Sequence, residues 1–310
     1  MIDSENLALS IDIGGTKIKF GFIDLTGKLI KDRILESKVL FNEGLQSFIN
    51  SIEEFINDYK FRILGIGIGI PGIIDKDTKI IQSVPNLRTL EGVKLQDIIQ
   101  DSVDVLTIVD NDVNLAALGE KWFGGAKEVK DFVFIAIGTG IGGGIIIDGK
   151  LYYGSGGAGE IGHIVVERNG PICSCGNRGC FEALASGRAL ERMYNELTNK
   201  FLTAREIFTL AKRGDSIASQ LIDSFIEWLG IGIGSIINVL APEAIIIGGG
   251  IGISQYDLIY PRILDELKKT VRSPLMEKLE VKKSVLGSDA GIFGGAAIIF
   301  AYANNKKDKI

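Results

Sequence analysis

The sequence is poor in soft metal ligands and in clusters of basic residues. It has one histidine and three cysteines in 310 residues, and its formal net charge is -5. No concentration of Lys and Arg precedes the last residues, "NNKKDKI". Because nucleic acids and anionic membranes are bound through clustered basic side chains, we expect neither of them as a partner.

Membrane insertion and export also lack support in the sequence. No uncharged run is longer than that at residues 132–147, which is interrupted by five glycines and is shorter than the roughly 18 residues that a spanning helix needs. The start, "MIDSENLALS", has no basic stretch followed by an apolar block, which an export signal requires. We therefore expect a cytoplasmic protein, in which clustered cysteines indicate a metal site more often than a disulfide.

Hydrophobic content and periodicity favour two α/β domains. Hydrophobic residues form 46% of the chain, and short β-branched runs alternate with longer amphipathic stretches. A chain of this length is long for a single core and sufficient for two.

Two glycine turns repeat one pattern along the chain. "SIDIGGTKIKFGFID" begins at residue 10 and "FIAIGTGIGGGIIID" at residue 134. Each predicts a strand, a tight turn and a second strand, and the backbone N–H groups of such a turn can bind phosphate. Only the first copy carries an acid and a base, Asp12 and Lys17, which suit Mg²⁺ and phosphate oxygens. Two ordinary hairpins with glycine turns are the alternative.

The segment "GTGIGG" also fits a dinucleotide-binding fingerprint, but that motif opens a helix, and here a strand pattern follows. A third glycine cluster, Gly248–Gly250, follows a buried-strand pattern and leaves room for a flat adenine. A plain strand-to-helix turn explains that cluster equally well.

Two aspartates stand between a predicted buried strand and a predicted helix. They are Asp110 and Asp112, with Asn111 between them. Ligands of open α/β sheets gather at the carboxyl ends of strands, where a carboxylate can orient a hydroxyl group for attack. The alternative role for Asp112 is that of the helix N-cap.

Six motifs, taken together, resemble those of the ROK family of sugar kinases and sugar-responsive repressors. They are "DIGGTK", "GIPGIID", "DNDVNLAALGE", "GTGIGGG", "GEIGH" and "CSCGNRGCFE", and the resemblance extends from about residue 7 to about residue 303. It implies an actin-like ATPase fold of two ribonuclease-H-like domains with a cleft between them. We expect a smaller domain at 1–115, a larger one at 116–289, and a C-terminal helix at about 290–305 that returns to the first.

The resemblance also implies the cofactors and the residues of the site. ATP with Mg²⁺ is the expected phosphoryl donor, a hexose is the acceptor, and a homodimer or homotetramer is the expected assembly. Asp112 resembles the catalytic base. The residues expected to bind the sugar are Gly72, Asn86, Asn111, Asp112, Glu160, His163 and Glu182, and those expected to bind the nucleotide are Asp12, Gly14, Gly15, Thr16, Lys17, Thr139, Gly140, Gly249 and Gly250.

The scarce soft ligands lie close together in this pattern. His163, Cys173, Cys175 and Cys180 offer one nitrogen and three sulfurs, the set for a closed, structural zinc site. Such a zinc would hold the loop that carries Glu182 and would fix the ring of His163. Taken singly, the cysteines could be small buried apolar groups and the histidine a core residue.

Two classes of function therefore compete. The first is an ATP-dependent hexose kinase that acts on the 6-hydroxyl, with glucose as the expected acceptor and N-acetylmannosamine or another hexose as the alternative. The second is a sugar-responsive repressor. We expect the kinase, because a repressor needs a helix-turn-helix ahead of the sugar domain and the first phosphate turn already begins at Asp12.

Overall fold

The computed structural model describes residues 6–41, 43–84 and 87–307. Strands and helices alternate along them, as the sequence predicts for an α/β protein. The strands are β1 (Leu7–Ile13), β2 (Lys17–Asp24), β3 (Leu29–Glu36), β4 (Ile63–Ile70), β5 (Ile73–Ile74), β6 (Ile81–Ser83), β7 (Thr107–Asn111), β8 (Phe132–Ile137), β9 (Ile141–Ile147), β10 (Lys150–Leu151), β11 (Ala244–Gly248) and β12 (Glu280–Lys283). The helices are α1 (Lys38–Phe41), α2 (Leu45–Ile56), α3 (Leu95–Val103), α4 (Asp112–Trp122), α5 (Phe181–Ala185), α6 (Gly187–Thr198), α7 (Ala204–Lys212), α8 (Ser216–Leu240), α9 (Gly250–Ser254), α10 (Tyr256–Thr270), α11 (Ser273–Met276) and α12 (Ala290–Lys307).

Two five-stranded sheets share one strand order. The first is β3-β2-β1-β4-β7 and the second is β10-β9-β8-β11-β12. In the first sheet β1, β2 and β3 are antiparallel neighbours, and β4 and β7 run parallel to β1. In the second sheet β11 is parallel to both β8 and β12. The glycine-turn repeat in the sequence is therefore the start of a repeat of whole sheets with a ribonuclease-H-like order.

The two faces of the first sheet differ in side-chain size. Along β4, whose sequence is "ILGIGIGI", isoleucines alternate with glycines and therefore occupy opposite faces. The isoleucines from Ile66 onward lie in a core cluster with side chains of α2 and α3. On the glycine face, a Cβ at Gly67 would lie 1.9 Å from the carbonyl oxygen of Gly295 in α12. The glycines thus allow α12 to pack against the backbone of the sheet.

Helices α4 and α12 approach one another in the same way. A Cβ at Gly294 would lie 1.7 Å from the carbonyl oxygen of Leu115, and one at Gly119 would lie 2.4 Å from that of Ala290. Both neighbours are backbone atoms, which cannot rotate aside as a side chain can. The start of α4, where Asp112 lies, is therefore held by close backbone packing within its own unit.

We expect Gly294→Ala to destabilise the protein by about 2 to 4 kcal/mol, because the helices must separate to admit the methyl group. Helix propensity alone would predict the opposite sign, since Ala is favoured over Gly by up to about 1 kcal/mol. Thermal and urea unfolding measure the change. Gly15→Ala is the control, because no atom lies within 4 Å of its added Cβ. Unchanged stability of Gly294→Ala would contradict the close approach.

The chain divides into two compact units. The first comprises Met1–Glu128, Gly144–Ala158 and Asp289–Ile310, and the second comprises Val129–Gly143 and Gly159–Ser288. The division differs from the expected boundary at residues 115 and 116, which falls within α4. That helix is continuous to Trp122 and belongs to the first unit throughout.

Among the described residues, one helix is long and apolar enough to cross a membrane, namely α8. Within the second unit its side chains Leu221, Phe225 and Leu229 are buried. A buried core helix meets the same criteria of length and composition, so α8 is weak evidence for a membrane span.

Candidate active site

The carboxyl end of β7 and the start of α4 present Asn111 and Asp112. The side chain of Asn111 caps the helix: its Oδ1 accepts hydrogen bonds from the backbone N–H groups of Val113 (2.8 Å) and Asn114 (3.0 Å). Asp112 is the first helical residue, half-buried, and its Cα and Cβ lie over Gly69 of β4. The cap that the sequence offered as an alternative role for Asp112 is supplied by Asn111.

Gly72 lies beside this helix start. Its carbonyl oxygen accepts a hydrogen bond of 3.0 Å from Nδ2 of Asn111. Its φ is +109°, and a Cβ there would lie 2.0 Å from the carbonyl oxygen of Ser83, so only glycine fits. Within the first unit the fold therefore brings together Gly72, Asn111 and Asp112. Asn86, which the sequence also predicts for the sugar site, lies outside the described residues.

Asp110, immediately before these residues, is the other aspartate at the predicted strand end, and its carboxyl group is buried. It accepts hydrogen bonds from the backbone N–H of Asn111 (2.7 Å), from Nδ2 of Asn114 (3.1 Å) and from the hydroxyl of Tyr153 (2.5 Å). Burial raises its pKa, and the bonds from Tyr153 and Asn114 lower it. The position of Asp110 at the end of a buried strand indicates a role at the site from sequence alone. No local sequence pattern indicates such a role for Tyr153.

The first glycine turn joins β1 to β2. The N–H of Gly14 donates to the carbonyl of Lys17 (3.0 Å), and Ser37 holds the turn from outside by donating its hydroxyl to the carbonyl of Gly14 (2.7 Å) and its N–H to that of Thr16 (3.0 Å). No atom lies within 4 Å of a Cβ built at Gly15. The turn is thus braced on one side and open at Gly15, as a phosphate-binding turn must be.

A charged cluster stands next to this turn in the first unit. Asp12 is half-buried, and its carboxyl group lies 3.1 Å from a Cβ position at Gly291, in the first turn of α12. Burial raises the pKa of Asp12, the ammonium group of Lys19 lowers it, and the carboxylate of Asp289 raises it. Lys19 is paired with Asp12 across the strands and donates to Asp289 at 2.9 Å.

The sequence predicts Lys17 as the basic residue beside Asp12, whereas Lys19 is the lysine next to that carboxyl group. Lys17 is exposed at the start of β2, where it is paired with Glu36 across the strands. Both lysines lie on one face of β2, because they are two residues apart in a strand. The strand register, which the local sequence does not reveal, places Lys19 opposite the aspartate.

In the second unit, the corresponding turn joins β8 to β9 at Gly138, Thr139 and Gly140. The N–H of Gly138 donates to the carbonyl of Gly140 at 3.0 Å. Glu182 supports the turn, since its Oε2 accepts from the N–H of Ile141 at 2.9 Å and would lie 2.4 Å from a Cβ at Gly140. One carboxylate oxygen of a predicted sugar ligand is therefore already bonded to the predicted phosphate turn.

The third glycine cluster packs against the same turn. Gly249 has a φ of +78°, and a Cβ there would lie 2.5 Å from backbone atoms of Ile137. Gly250 begins α9, and no atom lies within 4 Å of a Cβ built on it. Because β8 and β11 are parallel neighbours, the turns that follow them lie at the same, carboxyl end of the strands of the second sheet.

His163 faces two kinds of partner in the second unit. Its Nε2 lies 3.7 Å from Oε2 of Glu160, and its Nδ1 lies 3.6 Å from Sγ of Cys173. Burial raises the pKa of Glu160, the imidazole of His163 lowers it, and the carboxylate of Glu182 raises it. The two glutamates are thus close enough to interact, and the ring of His163 joins them to the cysteine cluster.

The four scarce soft ligands converge. One ligand atom each from His163, Cys173, Cys175 and Cys180 lies within 4.8 Å of all the others. The Sγ atoms of Cys175 and Cys180 are 3.7 Å apart, too far for a disulfide. Zinc bonds of about 2.3 Å to sulfur and about 2.0 Å to nitrogen give tetrahedral edges of about 3.8 Å between sulfurs and about 3.6 Å between sulfur and nitrogen. The distances between Cys175 and Cys180 and between His163 and Cys173 match these edges, so the four residues could hold a metal ion such as zinc.

Two ribonuclease-H-like sheets, each with a glycine turn after its first strand, define the actin-like ATPase class, as the sequence predicts. Within that class the chain belongs to the ROK family, whose sequence profile matches residues 8–301.

Relatives within the family include both kinases and repressors. The chain is 33% identical to a glucokinase of Thermotoga maritima (94% of this chain, 96% of the relative). It is 35% identical to a xylose repressor of Bacillus subtilis (94% of this chain, 76% of the relative). It is 32% identical to an N-acetyl-D-glucosamine kinase of Histophilus somni (94% of this chain, 98% of the relative).

Two solved structures of ROK sugar kinases are similar to almost the whole chain. The ROK hexokinase of Thermus thermophilus is similar with a TM-score of 0.86 and 28% identity, over 96% of this chain and 99% of that one. A ROK glucokinase of Streptomyces griseus in complex with glucose and AMPPNP is similar with a TM-score of 0.77 and 29% identity, over 94% of this chain and 99% of that one.

Proposed function

We propose that this chain is an ATP-dependent sugar kinase that transfers a phosphoryl group to the 6-hydroxyl of a hexose, with glucose as its preferred acceptor. The observation that carries the proposal is the position of Asp112. It is the first residue of α4, its neighbour Asn111 supplies the helix cap, and the phosphate turn with Asp12 belongs to the same unit. Oδ1 of Asp112 also accepts from the N–H of Val113 (3.0 Å), so the carboxylate is held at the helix start, where it can act on a hydroxyl group.

Asp112 is assigned the role of general base. Its carboxylate accepts the proton of the sugar 6-hydroxyl as the oxygen attacks the γ-phosphorus, and the bond from that phosphorus to the bridging oxygen of the donor breaks. The partial positive charge at the start of α4 stabilises the ionised carboxylate before the proton arrives. Gly72, Asn111, Glu160, His163 and Glu182 are assigned to the other hydroxyl groups of the sugar, and Asn86 is included from its motif.

ATP is assigned to the glycine turns. When ATP is bound, the N–H groups of Gly15, Thr16, Thr139 and Gly140 would face phosphate oxygens, since those of Gly14 and Gly138 already donate within their own turns. The backbone at Gly250, where no atom lies within 4 Å of a built Cβ, would accept the nucleoside beside Gly249. The Streptomyces griseus relative, in complex with AMPPNP, supports a nucleotide donor. Mg²⁺ neutralises phosphate charge when bound, and the oxygen ligands of Asp12 suit that cation. Lys17 remains in this proposal, with Lys19 beside Asp12 as a second basic group.

Zinc is assigned a structural role at His163, Cys173, Cys175 and Cys180. Burial and the neighbouring thiols raise the pKa of Cys180, so this thiol keeps its proton unless a cation such as zinc stabilises the thiolate. A zinc ion held by all four residues would have no open position for chemistry. With Nδ1 directed to the metal cluster, Nε2 of His163 faces Glu160 and can donate to the sugar.

The acceptor distinguishes this proposal from its alternatives. N-acetylmannosamine and other hexoses, including the N-acetylglucosamine that the Histophilus somni kinase is named for, differ from glucose by one hydroxyl or its substituent. A sugar-responsive repressor is the least favoured alternative, and the xylose repressor of Bacillus subtilis is the relative that supports it.

A cytoplasmic homodimer or homotetramer is part of the proposal, and light scattering on the purified protein measures the assembly.

One experiment tests the function. ADP release is measured with ATP, Mg²⁺ and a panel of glucose, mannose, fructose, allose, N-acetylglucosamine and N-acetylmannosamine, and kcat/KM is compared. We expect the highest kcat/KM for glucose, by at least about tenfold, since one mispaired polar group costs about 1 kcal/mol or more. A better N-acetyl sugar would replace glucose, and sugar binding without ADP release from any hexose would favour the repressor.

A further inference from the structure

The buried carboxyl group of Asp110 organises the backbone on both sides of Asp112. Its Oδ1 accepts from the N–H of Asn111 (2.7 Å) and from Nδ2 of Asn114 (3.1 Å), so one oxygen holds a residue before and a residue after the proposed base. Asn111 in turn caps α4. Rotation of this carboxyl group would release both bonds at once and loosen the first turn of the helix.

A hydrogen bond to the other oxygen of Asp110, Oδ2, restrains that rotation. Oδ2 accepts the hydroxyl hydrogen of Tyr153 at 2.5 Å. Burial raises the pKa of Tyr153 far above its ordinary value, and the carboxylate of Asp110 raises it further, so the phenol keeps its proton throughout the physiological range. A permanent donor on Oδ2 fixes the plane in which Oδ1 meets its two partners.

The position of Tyr153 in the chain makes this bond more than local packing. Tyr153 follows β10 and precedes a segment in which Gly154, Gly156, Gly157 and Gly159 all have positive φ. Such a run is permissive in conformation, and the N–H groups of Gly156 and Ala158 both donate back to the carbonyl of Tyr153. Within the first unit, Tyr153 is the side chain that ties the beginning of this glycine segment to the strand end that carries Asn111.

We propose that Tyr153 is a positioning residue for phosphoryl transfer, which acts on Asp112 through the carboxyl group of Asp110. The inference rests on the proposed function for its catalytic readout, because it assumes that Asp112 is the base. No contact with the reacting atoms is assigned to Tyr153. A misplacement of a catalytic group by about 1 Å costs on the order of 100-fold in rate, so a bond that sets the helix start is a sensitive place to intervene.

Tyr153→Phe removes the hydroxyl and keeps the ring, and Tyr152→Phe is the matched control, because Tyr152 is its neighbour and is 46% exposed. We expect kcat for the accepted hexose to fall about 10- to 100-fold in Tyr153→Phe, with the sugar KM changed by less than about threefold. Tyr152→Phe should retain wild-type values. A Tyr153→Phe protein with wild-type kcat would overturn the proposal, and so would one that loses turnover only because its melting transition is lost.

A double-mutant cycle shows whether Tyr153 acts through Asp112. In an Asp112→Asn background, Tyr153→Phe should lower the residual kcat by less than about threefold, because the group that it positions has lost its charge. An undiminished effect in that background would mean that Tyr153 contributes by another route and would overturn the proposal.

Amide hydrogen exchange provides a readout that needs no turnover. In Tyr153→Phe, the amides of residues 111–114 should exchange at least about tenfold faster than in the wild type and in Tyr152→Phe, with the rest of α4 unchanged. Unchanged exchange would overturn the positioning link whatever the activity. If the wild-type protein had no kinase activity, only the proposed function would be refuted. Amide exchange would still report whether the Tyr153 bond orders residues 111–114, because that measurement needs no turnover.

Discussion

Asp112→Asn should lower kcat by about 10²- to 10⁴-fold, which corresponds to about 3 to 5 kcal/mol in the barrier. The asparagine keeps the size of the side chain and one oxygen, but it removes the charge that draws the hydroxyl proton away. Hexose affinity should change by less than about fivefold, because the other proposed sugar ligands remain. Turnover, equilibrium binding of the hexose and the melting temperature are measured on one variant.

Loss of a helix cap cannot explain a fall in kcat in Asp112→Asn. Asn111 supplies the cap of α4, so Asp112→Asn removes no cap and should leave the melting temperature close to that of the wild type. Asp97→Asn is the control, since Asp97 is an exposed acid in the first turn of α3. It should behave as the wild type in every assay. Wild-type turnover in a folded Asp112→Asn protein would remove the catalytic assignment.

Cys175→Ser should weaken zinc binding by more than the roughly 10- to 100-fold that is typical for the loss of an outer partner of a metal site. It should also raise the hexose KM at least about tenfold. Cys180 directly precedes α5, which carries Glu182, and His163 shares the cluster, so a lost ligand releases two proposed sugar-binding groups. Metal analysis, a competitive chelator titration and kinetics measure these effects.

Asn177→Ala is the matched control, because Asn177 is exposed in the same loop and is no member of the four-ligand cluster. It should keep the zinc content and the KM of the wild type. The zinc assignment would be wrong if protein purified without chelators held no zinc. If zinc were lost in Cys175→Ser and the KM stayed unchanged, the ion would serve stability alone.

The sequence predicted those parts of the fold and site that local patterns encode. The glycine turns after β1 and β8 could be predicted because the flanking strands alternate over a few residues and the two copies match without gaps. The convergence of His163 with the three cysteines could be predicted because ligand identity and spacing restrict the geometry strongly.

What the sequence missed depends on contacts between distant segments. Lys19 lies beside Asp12 because of the register between β1 and β2, which residue types alone leave undetermined. Tyr153 meets Asp110 although 43 residues separate them, and no periodicity connects the two. The extent of the first unit also needed tertiary information, since α12 joins it from the far end of the sequence.

The glycine face of β4 has a consequence for the order in which the protein is made. Gly67 and its contact in α12, Gly295, are separated by most of the chain. Translation proceeds at roughly 5 to 20 residues per second, so about 10 to 45 seconds pass between the synthesis of the two glycines. During that interval the second unit is completed on the ribosome, while the face of the first sheet that receives α12 stays uncovered. Folding of the first unit therefore cannot finish before α12 has been synthesised.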